Sequence, residues 1–149
     1  MEQSKNKDNN AADHMARLLK DKNFAFLGTI MKDGRPQVSP VWIDVENGLI
    51  LINTAEGRIK HRNLSRDPRV SISLVDRNSP YSMVTIQGKV VDQTFNGADD
   101  HIDKLAKKYL DVDKYPAHSP SVKRVIVKIK PEKIFYLPPR YTEYLKDKH

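Results

Sequence analysis

The chain has 149 residues, a formal net charge of +7 and no cysteine. Without thiols there can be no disulfide, cysteine nucleophile or thiolate metal site, and the length implies one domain, large enough for a core yet small to enclose a substrate unaided, so a site shared by two copies is expected. A pI near 9.5 points to an acidic partner such as nucleic acid, a phosphate-bearing cofactor or an anionic substrate, and charge alone does not choose among them.

In chain order, residues 1–11 are polar and aperiodic and are expected to form a disordered tail, leaving 12–149 as one domain. No apolar run near the start has signal-peptide character, and nowhere do 18 apolar residues follow one another. A cytoplasmic protein without a membrane partner is expected. In ADHMARLLK, Met15, Leu18 and Leu19 recur at i, i+3 and i+4, which predicts a short amphipathic helix. Strand-like runs follow: FAFLGTIM, PQVSPVWIDV and LILINT, separated by KDGR and ENG. Asp33-Gly34 and Asn47-Gly48 are hairpin signals, because both turn positions tolerate positive φ.

The next stretch, GRIKHRNLSRDPR, sets Arg58, Lys60, Arg62, Arg66 and Arg69 around one acid, Asp67. In a helix Arg58, Arg62 and Arg66 would stack at i, i+4 and i+8, where like charges oppose one another. The plain reading is a solvated basic face with local ion pairs, which suits Arg62, Arg66 and Arg69. Arg58 and Lys60 differ because they follow a strand directly and open a helix, where free backbone N–H groups favour an anion such as phosphate.

RVSISLVD and SMVTIQGKVVD alternate as strands, with Asn78-Ser79-Pro80 as the break and Gly88 placed for a bulge or sharp bend. GADDHIDKLAKKYL carries Ile102, Leu105, Ala106 and Tyr109 on one helical face, with acids first and lysines last, as the helix dipole prefers. KRVIVKIK is a further strand, and KIFYLPPR ends the ordered chain, since Pro138-Pro139 cannot pair in a ladder. Six or seven antiparallel strands with short hairpins predict a mainly β fold, a small barrel. The five histidines lack ligand spacing, so no metal is expected, and no GxSxG, P-loop or GxGxxG is present.

Three ordered pieces, GRPQVS at 34–39, RIKHRNLSRDPR at 58–69 and YLPPR at 136–140, together resemble the pyridoxamine-phosphate-oxidase-like flavin-binding split barrels, and within them the branch that uses the deazaflavin coenzyme F420. The resemblance spans about Phe24 to Arg140. It implies a six-stranded antiparallel Greek-key split β-barrel, a homodimer with two equivalent sites, and an oxidoreductase that moves hydride between F420 and a small organic molecule. By the same resemblance, Gln37, Ser39, Pro40 and Val41 lie along the flavin ring, and Ile52, Asn53 and Thr54 line its ribityl side. Arg58 and Lys60 grip the phosphate with His61 nearby, while Tyr81, Ser82, Met83 and Gln87 come from the other subunit. Met83 stands where the branch carries a second aromatic.

Other readings stay open. Gln37 and Ser39 also fit an ordinary strand surface, and Trp42 is better read as a core or interface anchor. The rival functions are an FMN-binding oxidase or flavin reductase of the same fold, a noncatalytic cofactor carrier, and a nucleic-acid-binding barrel. The last is disfavoured, because aromatics do not interleave the basic run. F420 is preferred over FMN because its acidic tail would give surplus cations such as Arg62 and Arg66 a partner. No catalytic side chain is assigned, the proton donor being solvent or Tyr81.

Overall fold

A computed structural model describes residues 12–136. The expected tail over residues 1–11 and the segment after Tyr136, which carries most of YLPPR, lie outside the described residues. Helix α1 covers residues 12–20 and buries Leu18 and Leu19 fully, with Met15 packed beside them, as the spacing predicts. Seven strands follow: β1 (Ala25–Ile30), β2 (Pro36–Val41), β3 (Asp44–Glu46), β4 (Leu49–Ala55), β5 (Arg69–Asp76), β6 (Ser79–Thr94) and β7 (Arg124–Tyr136). Helix α2 (Ile59–Arg66) joins β4 to β5, and α3 (Ala98–Leu110) joins β6 to β7.

All ladders are antiparallel and form one sheet in the order β2-β1-β5-β6-β7-β4-β3. β5, β6 and β7 are consecutive neighbours and β4 returns to lie beside β7, which is Greek-key winding. The two edge strands, β2 and β3, are separated in sequence only by Trp42 and Ile43, so the sheet curls on itself and stays unzipped along that seam. The core inside the curl is aliphatic, with Leu27, Ile50, Ile52, Ile72, Leu74 and Ile86 among its fully buried side chains.

Turn chemistry holds as expected at Asn47-Gly48, where both residues have positive φ (53° and 78°), the requirement of a type I′ hairpin. Two expectations change. PQVSPVWIDV is two strands, because the chain turns a corner at Trp42-Ile43 and α3 satisfies the freed backbone there. Tyr109 Oη accepts the Ile43 N–H at 3.1 Å and donates to Asn23 O at 2.8 Å, and Lys108 Nζ donates to Ile43 O at 2.7 Å and Leu19 O at 2.6 Å. This adds β3 and makes the strand count seven rather than six. The second change joins KRVIVKIK and KIFY into one strand through Pro131, which lies opposite Gly88 where the β6–β7 register shifts. Proline lacks a ladder donor and is accepted at such an irregularity. The expected bulge at Gly88 is therefore present, and a Cβ there would meet Lys130 O at 2.5 Å.

Candidate functional site

The sheet and α3 frame a cleft of about 450 Å³. One wall is aromatic and apolar: Phe24, Trp42, Leu110 and Tyr115 line it. Trp42 stacks on Tyr109 with centroids 5.3 Å apart and planes 6° apart, and meets Tyr115 edge-on at 6.0 Å. Asp103 pins the loop that carries Tyr115, accepting the Tyr115 N–H at 2.8 Å and contacting His118 Nε2 at 2.7 Å and Lys114 Nζ at 3.4 Å.

The rest of the lining carries a cluster of cations. Arg58, Lys60 and Arg124 form it, and no lining residue is acidic. Arg58 is the N-cap of α2, no side chain caps that helix start, and its first turn holds no acid, so the positive end of the helix adds to the same charge. His61 Nδ1 instead accepts the Gly57 N–H at 3.1 Å and fastens the preceding turn. Burial, then Arg58 and Arg124, push the Lys60 ammonium below its usual range. Burial, then Arg58, act in the same direction on Arg124. The three cations repel one another in a partly dry place, an arrangement that an anion relieves.

Arg124 is 7% exposed, and a chain of neutral and ionic contacts holds it. Its Nε donates to Asn53 Oδ1 at 2.8 Å. Asn53 Nδ2 in turn donates to Ala98 O at 2.8 Å and lies 3.2 Å from His101 Nδ1. On the far side His101 Nε2 lies 3.3 Å from Asp44 Oδ2, within ion-pair reach but without hydrogen-bond alignment, and Lys104 Nζ lies 3.2 Å from the same oxygen. Burial pushes Asp44 up, but the contacts with His101, the Val45 N–H and Lys104 together outweigh it and hold the carboxyl well below the usual carboxylate range.

Of the residues expected at a site, Pro40, Val41, Asn53, Arg58 and Lys60 line this cleft. Gln37 joins Arg58, Lys60 and Arg62 around an adjoining one, with Thr29 Oγ1 3.4 Å from its Oε1. The inward alternation of β2 puts Ser39 on the same face as Gln37, where its buried hydroxyl has no hydrogen-bond partner among the described residues. Ile52 and Thr54 are fully buried and present no surface to either cleft. Tyr81, Ser82, Met83 and Gln87 do not reach the cleft of the same chain: Ser82 Oγ lies 3.3 Å from His14 Nε2, and Gln87 lines a separate cleft of about 480 Å³ with Val38 and Pro36. Of the outlying arginines, Arg66 donates to Asn63 Oδ1 at 3.3 Å and Arg69 forks onto Asp67 at 2.8 and 3.0 Å. Both are thus engaged by their own chain, while Arg62 stays beside the cleft.

Arg124 and Tyr115 were not singled out by sequence reasoning, and Trp42 lines the cleft rather than acting only as an anchor. The available signal was Arg124 itself, a cation followed by four apolar residues, Val125 to Ile126 to Val127 with Ile129 beyond one lysine, where alternation fails because both faces are covered. Among the described residues, no group of three His, Asp or Glu side chains could hold a metal ion, and no helix is long and apolar enough to cross a membrane.

Comparison with known proteins gives a consistent result. The family model described as pyridoxamine 5'-phosphate oxidase matches residues 11–138. A solved structure named F420 reductase is 26% identical, with a TM-score of 0.71 over 80% of this chain and 94% of that one. The conserved hypothetical protein Rv2991 from Mycobacterium tuberculosis is 25% identical, with a TM-score of 0.66 over 86% of this chain and 84% of that one. General Stress Protein 26 from Bacillus anthracis str. Sterne, at 15% identity and TM-score 0.61 over 84% and 92% of the two chains, shares the fold.

Proposed function

The chain belongs to the pyridoxamine 5'-phosphate oxidase family, and from that premise we propose that it is an oxidoreductase that binds coenzyme F420 between two copies of itself and reduces a small organic molecule. The observation that carries this reading is the pair Arg58 and Lys60 at an uncapped helix start, beside a cleft with no acidic lining residue. Such a group suits a cofactor with a phosphate and a flat ring. F420 rather than FMN is supported by Arg62 and Gln37, which carry the polar surface past the phosphate position, and by the likeness to a protein named F420 reductase.

When bound, the reduced deazaflavin would supply a hydride to an electron-poor, doubly bonded carbon of the substrate, and the atom that receives the displaced electron pair takes up one proton. Arg58 and Lys60 grip the phosphate. Gln37, Ser39, Pro40 and Val41 of β2 orient the ring system, and Trp42 and Tyr115 keep water from the apolar wall. Tyr81, Ser82, Met83 and Gln87 of a second copy complete the site. Gln87 shares a cleft with exposed Val38, and that face is the proposed meeting surface. The proton comes from solvent or Tyr81.

Charge-assisted contacts are worth about 1.5–3 kcal/mol each, so the Arg58→Ala/Lys60→Ala protein should bind F420 at least about a hundredfold more weakly. Following cofactor fluorescence through titrations with FMN and with F420 of several tail lengths, at low and high salt, tests the whole reading. Tighter binding of longer tails that fades with salt is expected. Preference for FMN, or indifference to tail length, would favour the FMN enzyme of the same fold.

A further inference from the structure

We infer that the aromatic end of the cleft binds a planar, apolar carboxylic acid, with the acid on Arg124 and its body against Trp42, Phe24 and Tyr115. This names the substrate class and rests on the oxidoreductase reading above.

Arg124 is a buried cation without an acid. Its one side-chain hydrogen bond among the described residues uses Nε, toward the neutral Asn53, so the terminal NH2 groups have no hydrogen-bond partner there. Asp44, the buried carboxylate of the same chain of contacts, is engaged by His101 and Lys104. Asp99 reaches Arg124 only as the weakest of the influences on it. A buried guanidinium held from one edge presents a fork that matches the two oxygens of a carboxylate. Arg124 lines the cleft, and its terminal nitrogens keep contact with solvent there while Nε is held, so the fork stays open to an incoming anion.

The surroundings define the rest of the ligand. The Tyr115 ring covers the guanidinium at 5.4 Å. Phe24 and Leu110 are exposed in the free protein at 56% and 49%, and Trp42, half-buried and stacked on Tyr109, lines the same cleft. A strongly hydrated dianion gains little from such walls, whereas an aromatic or conjugated monoacid buries its carbon skeleton and keeps one ion pair. The phosphate position needs no share of Arg124, because Arg58 and Lys60 also face the adjoining cleft with Gln37 and Arg62.

Trp42 is the chain's single tryptophan and reports directly on this wall. The experiment titrates the full, cofactor-free protein with trans-cinnamate, 2-naphthoate and neutral trans-cinnamamide, following tryptophan emission, with calorimetry on the same samples. The acids should bind saturably and the amide at least about tenfold more weakly. Arg124→Gln should remove that preference, and Arg124→Lys, which keeps the charge but not the fork, should weaken the acids while leaving the circular dichroism unchanged. Inorganic phosphate should not displace cinnamate. Equal binding of acid and amide, no binding of either acid, or full affinity in a folded Arg124→Lys would overturn the inference; so would competition by phosphate, which would give Arg124 to the cofactor. If cinnamate binds but neither F420 nor FMN does, the cofactor reading fails and this site stands.

Discussion

Asp44 shows how much one side chain organises. It sits at the end of the contacts that run through His101 and Asn53 to Arg124, and its folded carboxyl titrates well below the usual range. A depressed folded pKa contributes stability that is fully present above the unfolded value, about 3.9 for aspartate, and is lost as pH falls through the folded one. Urea midpoints measured from pH 7 to pH 2.5 should therefore show the wild type more stable than Asp44→Asn near neutrality, with the gap closing below about pH 4. A gap that stays constant over that range would mean that the carboxylate charge contributes nothing. The arginines make a related point about legibility. The basic run from 57 to 69 was visible, but which cations are free was not, because Arg69 is taken by Asp67 two positions away and Arg66 by Asn63. Arg124 escaped notice because its partner Asn53 is 71 positions distant.

At the scale of elements, alternation and turn residues made the strands legible, and the amphipathic faces of α1 and α3 bury Leu18, Leu19, Ile102, Leu105 and Ala106, with Met15 and Tyr109 half-buried. The corner at Trp42-Ile43 was not legible, because nothing local ends the strand. Tyr109 and Lys108 do it from α3, 66 and 65 positions away. Gly88 was readable as a place where the sheet bends, and its contact explains why. With Lys130 O at 2.5 Å from where a Cβ would stand, backbone must move to admit alanine. Gly88→Ala should lower unfolding stability by roughly 1–3 kcal/mol, in line with overpacking at a close contact, as read from the urea midpoint. An unchanged midpoint would show that β6 and β7 separate there at no cost.

For the whole molecule, the main expectation is a pair. Phe26 on β1 and Val38 on β2 are 45% and 62% exposed on the outer face of neighbouring strands, beside the cleft that holds Gln87. An apolar face of this kind on a small chain marks a contact surface. Light scattering at micromolar concentration should give twice the 17.1 kDa chain mass. Val38→Lys should return a folded monomer that has lost cofactor affinity. A wild-type monomer with full affinity would refute the shared site.

The β4–β7 ladder also has a consequence for folding. β5, β6 and β7 follow one another as sheet neighbours, whereas β4 pairs with β7 across about half of the chain. Closing so long a loop costs entropy before any contact repays it, so the meander is expected to form early and β4 to dock late. The cluster of cations straddles that last seam, with Arg58 just beyond β4 and Arg124 at the start of β7. A bound anion then works as a clasp on a finished fold and has no part in assembling it. In stopped-flow experiments trans-cinnamate, the acid expected on Arg124 of β7, should slow unfolding and leave the refolding rate unchanged; faster refolding would place the β4–β7 seam in the folding nucleus instead.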